Sequence, residues 1–308
     1  MELTCCLDKS DTVLFLLSGG GSALFEKPLI PAEELRSITD QLLTCGADIR
    51  EINTIRKRLS AVKGGRFGHW CAPARVETVI LSDVLGDPPD MIASGPAAPD
   101  HTTCAQALGI VRKYGLKLSE KAAACLEQET PKELENVNTQ IIGSVRQLCL
   151  AAESACQAMG YETVFLTDQL CSEAREAGRM LGSILRSHGN AGKRLAFLAG
   201  GETVVHVTGT GLGGRNQELA LGAAEVISGM ANACVISVGS DGTDGPTDAA
   251  GGYVDGDTVA ALKAHSISPE TVLENNDAYH ALKVIDGLIM TGPTGTNVND
   301  IAVALLRP

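Results

Sequence analysis

The stretch that decides the fold is Val13-Leu14-Phe15-Leu16-Leu17-Ser18-Gly19-Gly20-Gly21-Ser22-Ala23-Leu24. Its five consecutive apolar residues predict a buried strand of a parallel sheet. A glycine loop follows directly, and a helix is predicted from about residue 32, with acidic residues in its first turn. Strand, glycine loop and helix are how α/β proteins build anion sites, because successive N–H groups can turn toward one point. We therefore predict that Ser18, Gly19, Gly20, Gly21 and Ser22 bind phosphate, against the alternative of a tight turn without a ligand.

Length and charge limit the classes of function. The chain has 308 residues and a formal net charge of −12, which argues against nucleic acid and anionic membranes as partners. None of the ten cysteines forms a Cys-x-x-Cys pair or a cluster with zinc spacing, so we expect a reduced, cytoplasmic protein. No apolar run approaches the ~20 residues of a membrane span.

Basic residues are concentrated on one predicted helix, from about residue 48 to residue 62. Its apolar stripe predicts a core face, and Arg56 and Lys63 border that stripe. Both are candidate ligands of a phosphate or carboxylate, with a solvated helix face as the alternative. For Arg58 we expect the solvated face. Further along the chain, Asp83 follows an apolar strand directly, which is where open α/β sheets bind ligands and where a general base could stand.

The alternation of strands and helices predicts a Rossmann-like layered α/β domain over residues 1–190. The polar, glycine-containing segment 187–193 then marks a boundary, and residues 191–308 are expected to form a smaller mixed α/β domain. Within it, Gly209, Gly211 and Gly214 match the dinucleotide pattern Gly-x-Gly-x-x-Gly. However, no acidic residue lies about 20 residues further on to bind a ribose.

The mouth of that glycine loop suits a phosphate or carboxylate better than a ribose, because Arg215 and Asn216 follow it directly. A second loop, residues 239–252, carries several acids after a buried strand. Its residues Asp241 and Asp244 are candidate ligands of Mg²⁺.

Taken together, these stretches resemble the glycerate kinases that carry a C-terminal MOFRL domain. The matching segments run in order along nearly the whole chain. They are residues 18–24, 51–57, 63–65, 81–87, 92–96, 200–202, 213–218, 239–251, 276–277 and 291–297. Neither a Walker A sequence nor the protein-kinase signatures occur. The last segment adds Thr296 and Asn297, and Gly200-Gly201-Glu202 adds Glu202, to the candidate substrate-binding residues.

The resemblance implies transfer of the γ-phosphoryl group of ATP to a hydroxyl of D-glycerate, commonly giving 2-phosphoglycerate, with Mg²⁺. Our own assignment of roles gives catalysis to Arg215, Asp83 and Asp241, either aspartate taking the hydroxyl proton. The oligomeric state is left open between a monomer and a homodimer.

One departure bears on activity. Members of the family usually carry an N-terminal segment with a Gly-x-Gly-Lys motif before the Ser-Gly-Gly-Gly-Ser loop, and this sequence starts just before that loop. We therefore expect an N-terminally incomplete first domain. Two alternative functions stay open: an NAD(P)H-dependent hydroxypyruvate reductase, based on Gly209, Gly211 and Gly214, and an inactive, truncated ligand-binding remnant.

Overall fold

The computed structural model describes residues 2–308, which form two compact units that divide between Ile142 and Gly143. Each unit combines helices with its own sheet, which confirms the α/β class. The predicted boundary at residue 190 differs from this division, and the second unit is the larger of the two. The reason lies in strand pairing: the strand Glu162–Leu170 joins the second sheet, and the neighbouring helices pack with it.

The first unit is built on a three-stranded sheet. Its elements are β1 (Thr12–Leu17), α1 (Gly21–Leu24), α2 (Ala32–Thr44), α3 (Ile49–Arg58), α4 (Arg66–Trp70), β2 (Arg75–Leu81), α5 (Cys104–Tyr114), α6 (Glu120–Leu126) and β3 (Val137–Gly143). The sheet order is β1-β2-β3, and β1 and β2 pair in parallel. The predicted strand, glycine loop and following helix form as β1, the loop and α2. The strand is not buried as predicted: Leu14 and Leu16 are 64% and 68% exposed, because their side chains lie on a face of the sheet that no described element covers.

The core of the first unit contains the predicted apolar stripe. Ile55, Leu59 and Val62 are all buried, and the first two pack with the inner faces of α2, α5 and α6. The helix α3 begins at a capping box, in which the Asp48 carboxylate accepts from the Glu51 N–H and the Glu51 side chain accepts from the Asp48 N–H. This cap explains why the helix starts where the sequence predicts.

The second unit is built on a six-stranded mixed sheet. Its elements are α7 (Val145–Ala158), β4 (Glu162–Leu170), α8 (Ala174–His188), β5 (Leu195–Gly201), α9 (Arg215–Ile227), β6 (Ala233–Gly239), β7 (Gly251–Asp255), α10 (Thr258–Ala264), α11 (Pro269–Glu274), α12 (Ala278–Val284), β8 (Leu288–Ile289) and β9 (Asp300–Leu306). The sheet order is β4-β5-β9-β6-β7-β8. Among residues 2–308, no helix is long and apolar enough to cross a membrane.

The last strand, β9, lies between β5 and β6 and runs antiparallel to both. Consequently β5 and β6 point the same way, and their carboxyl ends lie on either side of the first residue of β9. Asp300 pairs with Gly201 on one side and with Gly239 on the other. This arrangement brings the residues after β5 and after β6 to one edge of the sheet.

The helices α8 and α9 approach closely enough that one glycine has no room for a side chain. A Cβ at Gly178 would lie 1.9 Å from the carbonyl oxygen of Leu219. We expect Gly178→Ala to lower the free energy of unfolding by about 1–3 kcal/mol, because the helices must separate. Thermal unfolding measures the effect. The control is Gly109→Ala in α5, where a Cβ meets nothing within 4 Å and alanine should stabilise the helix by about 0.5–1 kcal/mol. Equal melting temperatures for the two variants would contradict this packing.

Candidate functional site

The guanidinium of Arg215 is the centre of the polar cluster at the β5–β9–β6 edge. Its Nε donates to Asp300 Oδ2 at 2.6 Å and its Nη2 to Asp300 Oδ1 at 3.1 Å. Its Nη1 donates to Glu202 Oε1 at 2.8 Å. Asp300 is the residue that sequence reasoning missed; nothing in the local pattern reveals that it begins a strand inserted between β5 and β6.

The charge of Arg215 is secured by these contacts. Burial alone opposes the cation, but hydrogen bonds and charge from Asp300 and Glu202 outweigh burial and raise the pKa of Arg215. Burial also raises the pKa of Asp300, against the opposing effect of Arg215. The Arg215 side chain is 32% exposed, whereas the side chain of its Asp300 partner is 10% exposed. A planar cation held in this way suits carboxylate or phosphate recognition.

The glycine loop before Arg215 is explained by packing on the segment 275–277. A Cβ at Gly209 would lie 2.3 Å from the carbonyl oxygen of Asn275, and one at Gly211 would lie 2.5 Å from Asp277 Cβ. The Asn276 Oδ1 accepts from the N–H groups of Thr208 and Gly209 at 2.8 and 2.9 Å. The glycines therefore permit a close approach of two backbones, which removes the main reason to interpret them as a dinucleotide cradle.

Asp244 caps the helix that Arg215 begins. Its Oδ1 accepts from the Asn216 N–H at 3.1 Å, and its Oδ2 accepts from the Gln217 N–H at 2.9 Å. A carboxylate is favourable at a helix N-terminus. Burial nevertheless raises the pKa of Asp244 to about 6, although the two backbone N–H groups oppose the rise. Asn216 is also buried, donating to Asp244 and accepting from Ser237 Oγ at 2.6 Å, so both residues organise the start of α9.

The acidic loop after β6 is fastened to the loop before β9. The Thr294 Oγ1 donates to the Ser240 carbonyl at 2.5 Å, and the Thr294 N–H donates to the Asp241 carbonyl at 3.1 Å. The Asp241 Oδ1 accepts from the Thr243 N–H at 2.9 Å. Asn297 is exposed and Thr296 is half-buried in the second of these loops. Because the first loop follows β6 and the second precedes β9, the two loops form one surface next to the Arg215 cluster.

In the first unit, the Ser18–Ser22 loop lies at the carboxyl ends of β1 and β2. Gly20 has a φ of 80° and precedes the single turn of α1. A Cβ at Gly19 would lie 2.8 Å from Asp83 Oδ2, so the structure brings the Asp83 carboxylate against the loop. Gly19 is therefore required for this close approach of loop and carboxylate.

The two cations predicted as anion ligands instead bind the glycine loop itself. The Arg56 Nη1 and Nη2 donate to Ser22 Oγ at 3.2 Å and to the Ser22 carbonyl at 3.1 Å. The Lys63 Nζ donates to the carbonyls of Ser22, Phe25 and Ala93 at 2.8, 3.2 and 3.1 Å. Burial lowers the pKa of Lys63 to about 8, against the opposing charge of Glu26. In this structure Arg56 and Lys63 hold the loop conformation.

Comparisons with known proteins give the chain a family. The model of DUF4147, a domain of unknown function, matches residues 1–127, and the MOFRL family model matches residues 195–300. The chain is 52% identical to the D-glycerate 2-kinase of Thermotoga maritima, and the alignment covers 99% of this chain and 75% of that protein. The chain belongs to the MOFRL-type glycerate kinase family.

Two solved structures agree with the fold. The crystal structure of glycerate kinase from T. maritima matches with a TM-score of 0.95 and 51% identity, covering 99% of this chain and 75% of that chain. The crystal structure of a Pyrococcus horikoshii protein matches with a TM-score of 0.89 and 41% identity, and the match covers 99% of this chain and 74% of that chain. The resemblance inferred from the sequence motifs is thus confirmed.

The sequence predicts that Asp241 and Asp244 bind Mg²⁺. Among residues 2–308, no group of three or more His, Cys, Asp or Glu side chains is placed to hold a metal ion. Both Asp244 oxygens accept backbone hydrogen bonds at the start of α9, so this residue does not fit a metal ligand. Asp241 fits better, since Mg²⁺ in phosphotransferases needs only one or two carboxylates besides phosphate oxygens and water.

Proposed function

We propose that this protein is a glycerate kinase, a phosphotransferase that moves the γ-phosphoryl group of ATP to a hydroxyl of D-glycerate, giving 2-phosphoglycerate. The observation that carries the proposal is the Arg215 clamp, with Asp300 and Glu202 at the edge where β5 and β6 end. Its support from relatives is the 52% identity to a D-glycerate 2-kinase. A cytoplasmic location, suggested by the scattered cysteines, is part of the same proposal.

Phosphoryl transfer depends mainly on positioning and on neutralising charge, and the residues of this chain supply both. Arg215 binds the glycerate carboxylate or the moving phosphoryl group through its exposed side. Asp241 is assigned to Mg²⁺, which when bound neutralises the phosphate charge. Thr296 and Asn297 donate to substrate oxygens from the adjoining loop.

The first unit contributes an anion-binding element of its own. Arg56 and Lys63 both donate to the Ser22 carbonyl at the end of the Ser18–Ser22 loop, and we assign the serine hydroxyls and N–H groups of this loop to phosphate as donors. The carboxylate of Asp83 lies against this loop, and we assign it or Asp241 to take the proton of the substrate hydroxyl.

Nucleotide binding separates the kinase from the reductase alternative. We expect titration calorimetry to show binding of Mg·ATP and Mg·ADP and no binding of NADH, because residues Gly209 and Gly211 pack on the segment 275–277. Binding of NADH without binding of either adenine nucleotide would overturn the proposal. Binding of neither would favour the inactive remnant.

A further inference from the structure

We propose that Asp300 is the positioning residue for Arg215 and that Glu202 is an exchangeable partner, replaced on Nη1 by an anionic group of the substrate. The inference rests on the proposed function, because it assigns the roles of two acids around the same arginine. It concerns the substrate's carboxylate or the transferred phosphoryl group, which share the oxyanion chemistry that a guanidinium binds.

The contacts of the two acids differ in kind. Asp300 takes two hydrogen bonds from one edge of the guanidinium, at 2.6 and 3.1 Å, and its side chain is 10% exposed. Glu202 takes one hydrogen bond, at 2.8 Å from Nη1, and its side chain is 46% exposed. A bidentate contact fixes the plane of the cation, whereas a single contact to an exposed acid can be replaced at little cost.

The backbone supports the same division. Asp300 is the first residue of β9, paired to Gly201 and Gly239 on its two sides, so its Cα is fixed by both neighbouring strands. Glu202 follows the last residue of β5 and lies outside the strand register.

The charges favour an exchange over the binding of an anion beside both acids. Two carboxylates around one guanidinium leave a local charge of −1, which repels an incoming anion. If the anion takes the place of Glu202 on Nη1, the number of negative groups in contact with the cation stays the same. Asp300 meanwhile keeps the guanidinium in the orientation that the anion needs.

Steady-state kinetics with D-glycerate and Mg·ATP on the full chain separate the two roles. We expect Asp300→Asn to lower kcat/KM at least about tenfold, with a fall in kcat as part of that loss, because the orientation of Arg215 is lost. We expect Glu202→Gln to lower the KM for D-glycerate at least about twofold with kcat retained, since a competitor for Nη1 is weakened. The matched control is Asp168→Asn, which makes the same change at the Arg146–Asp168 ion pair and should alter neither constant.

Melting temperatures accompany the kinetics, and Asp300→Glu replaces Asp300→Asn if the latter does not fold. Kinetics of the Asp300 variant like those of Asp168→Asn would overturn the positioning role. A Glu202→Gln variant whose KM rises would show that Glu202 is a fixed ligand and would overturn the exchange.

A wild-type protein without glycerate phosphorylation would contradict the proposed function alone. Calorimetry with inorganic phosphate then tests the inference: Asp300→Asn should weaken phosphate binding and Glu202→Gln should strengthen it. The opposite order, or no binding to the wild type, would overturn it.

Discussion

Asp100→Asn is expected to lower the free energy of unfolding by about 3 kcal/mol, because it removes the buried carboxylate that Lys57 and Arg58 share. The loss stays at the lower end for a broken buried ion pair, since Lys57 keeps Asp90 and Arg58 keeps Glu129 as partners. Lys57 Nζ lies 3.2 Å from Asp100 Oδ1 and Arg58 Nη1 lies 3.7 Å from Asp100 Oδ2, with Asp100 and Arg58 wholly buried and Lys57 nearly so. Chemical denaturation of the two proteins measures the loss. The matched control is Asp40→Asn on an exposed position of α2, which should change stability by less than about 0.5 kcal/mol.

The pH dependence of stability provides a second readout of Asp100. Burial raises the pKa of Asp100, but the hydroxyl of Thr130 and the charge of Lys57 together lower this pKa by more than burial raises it. The net pKa of Asp100 therefore lies below the ordinary value. A lowered folded pKa stabilises the protein above the unfolded value of about 4, and this contribution is lost as the pH falls through the folded pKa. Asp100→Asn should therefore flatten the acid side of the stability curve. A loss under about 1 kcal/mol with an unchanged acid side would contradict the role of this network.

Replacing Arg215 is expected to have the largest effect on activity. Arg215→Lys keeps the charge but loses the planar group that bonds Asp300 through two nitrogens and Glu202 through a third. We expect kcat/KM to fall at least about tenfold for lysine and at least about a hundredfold for alanine, or ~1.4 and ~2.7 kcal/mol of transition-state stabilisation.

The control for Arg215 is Arg146→Lys, because Arg146 also pairs with an aspartate but is 61% exposed. It should retain the wild-type rate. Arg215→Lys should melt within a few degrees of the wild type, since the cation is retained between the two acids. Near-wild-type turnover of Arg215→Lys would remove Arg215 from the site.

Local patterns in the sequence were sufficient for part of this structure. The apolar run before Ser18 predicts β1, and the spacing of Ile55, Leu59 and Val62 predicts a core face that is in fact buried. Asp83 is placed at a strand end by sequence order alone, and the structure brings it against Gly19. These predictions succeed because each depends on neighbours within about ten residues along the chain.

Other features depend on contacts between distant segments. Arg58 was expected on a solvated face but is wholly buried, with hydrogen bonds to Thr102 and an ion pair to Glu129. Asp244 was predicted as a metal ligand, and the start of α9 uses its carboxylate as a cap. Asp300 was missed because the insertion of β9 between β5 and β6 is visible only once the strands are paired.

The proposed phosphorylation of D-glycerate by this protein can be observed directly. Incubation of the purified protein with D-glycerate, ATP and Mg²⁺, followed by ³¹P NMR, detects both the fate of the γ-phosphoryl group and the carbon that receives it. We expect a new resonance of 2-phosphoglycerate that grows as ATP is converted to ADP and that is absent from a parallel sample of Arg215→Ala. ATP that stays intact, or a phosphoglycerate signal of equal size from the Arg215→Ala sample, would contradict it.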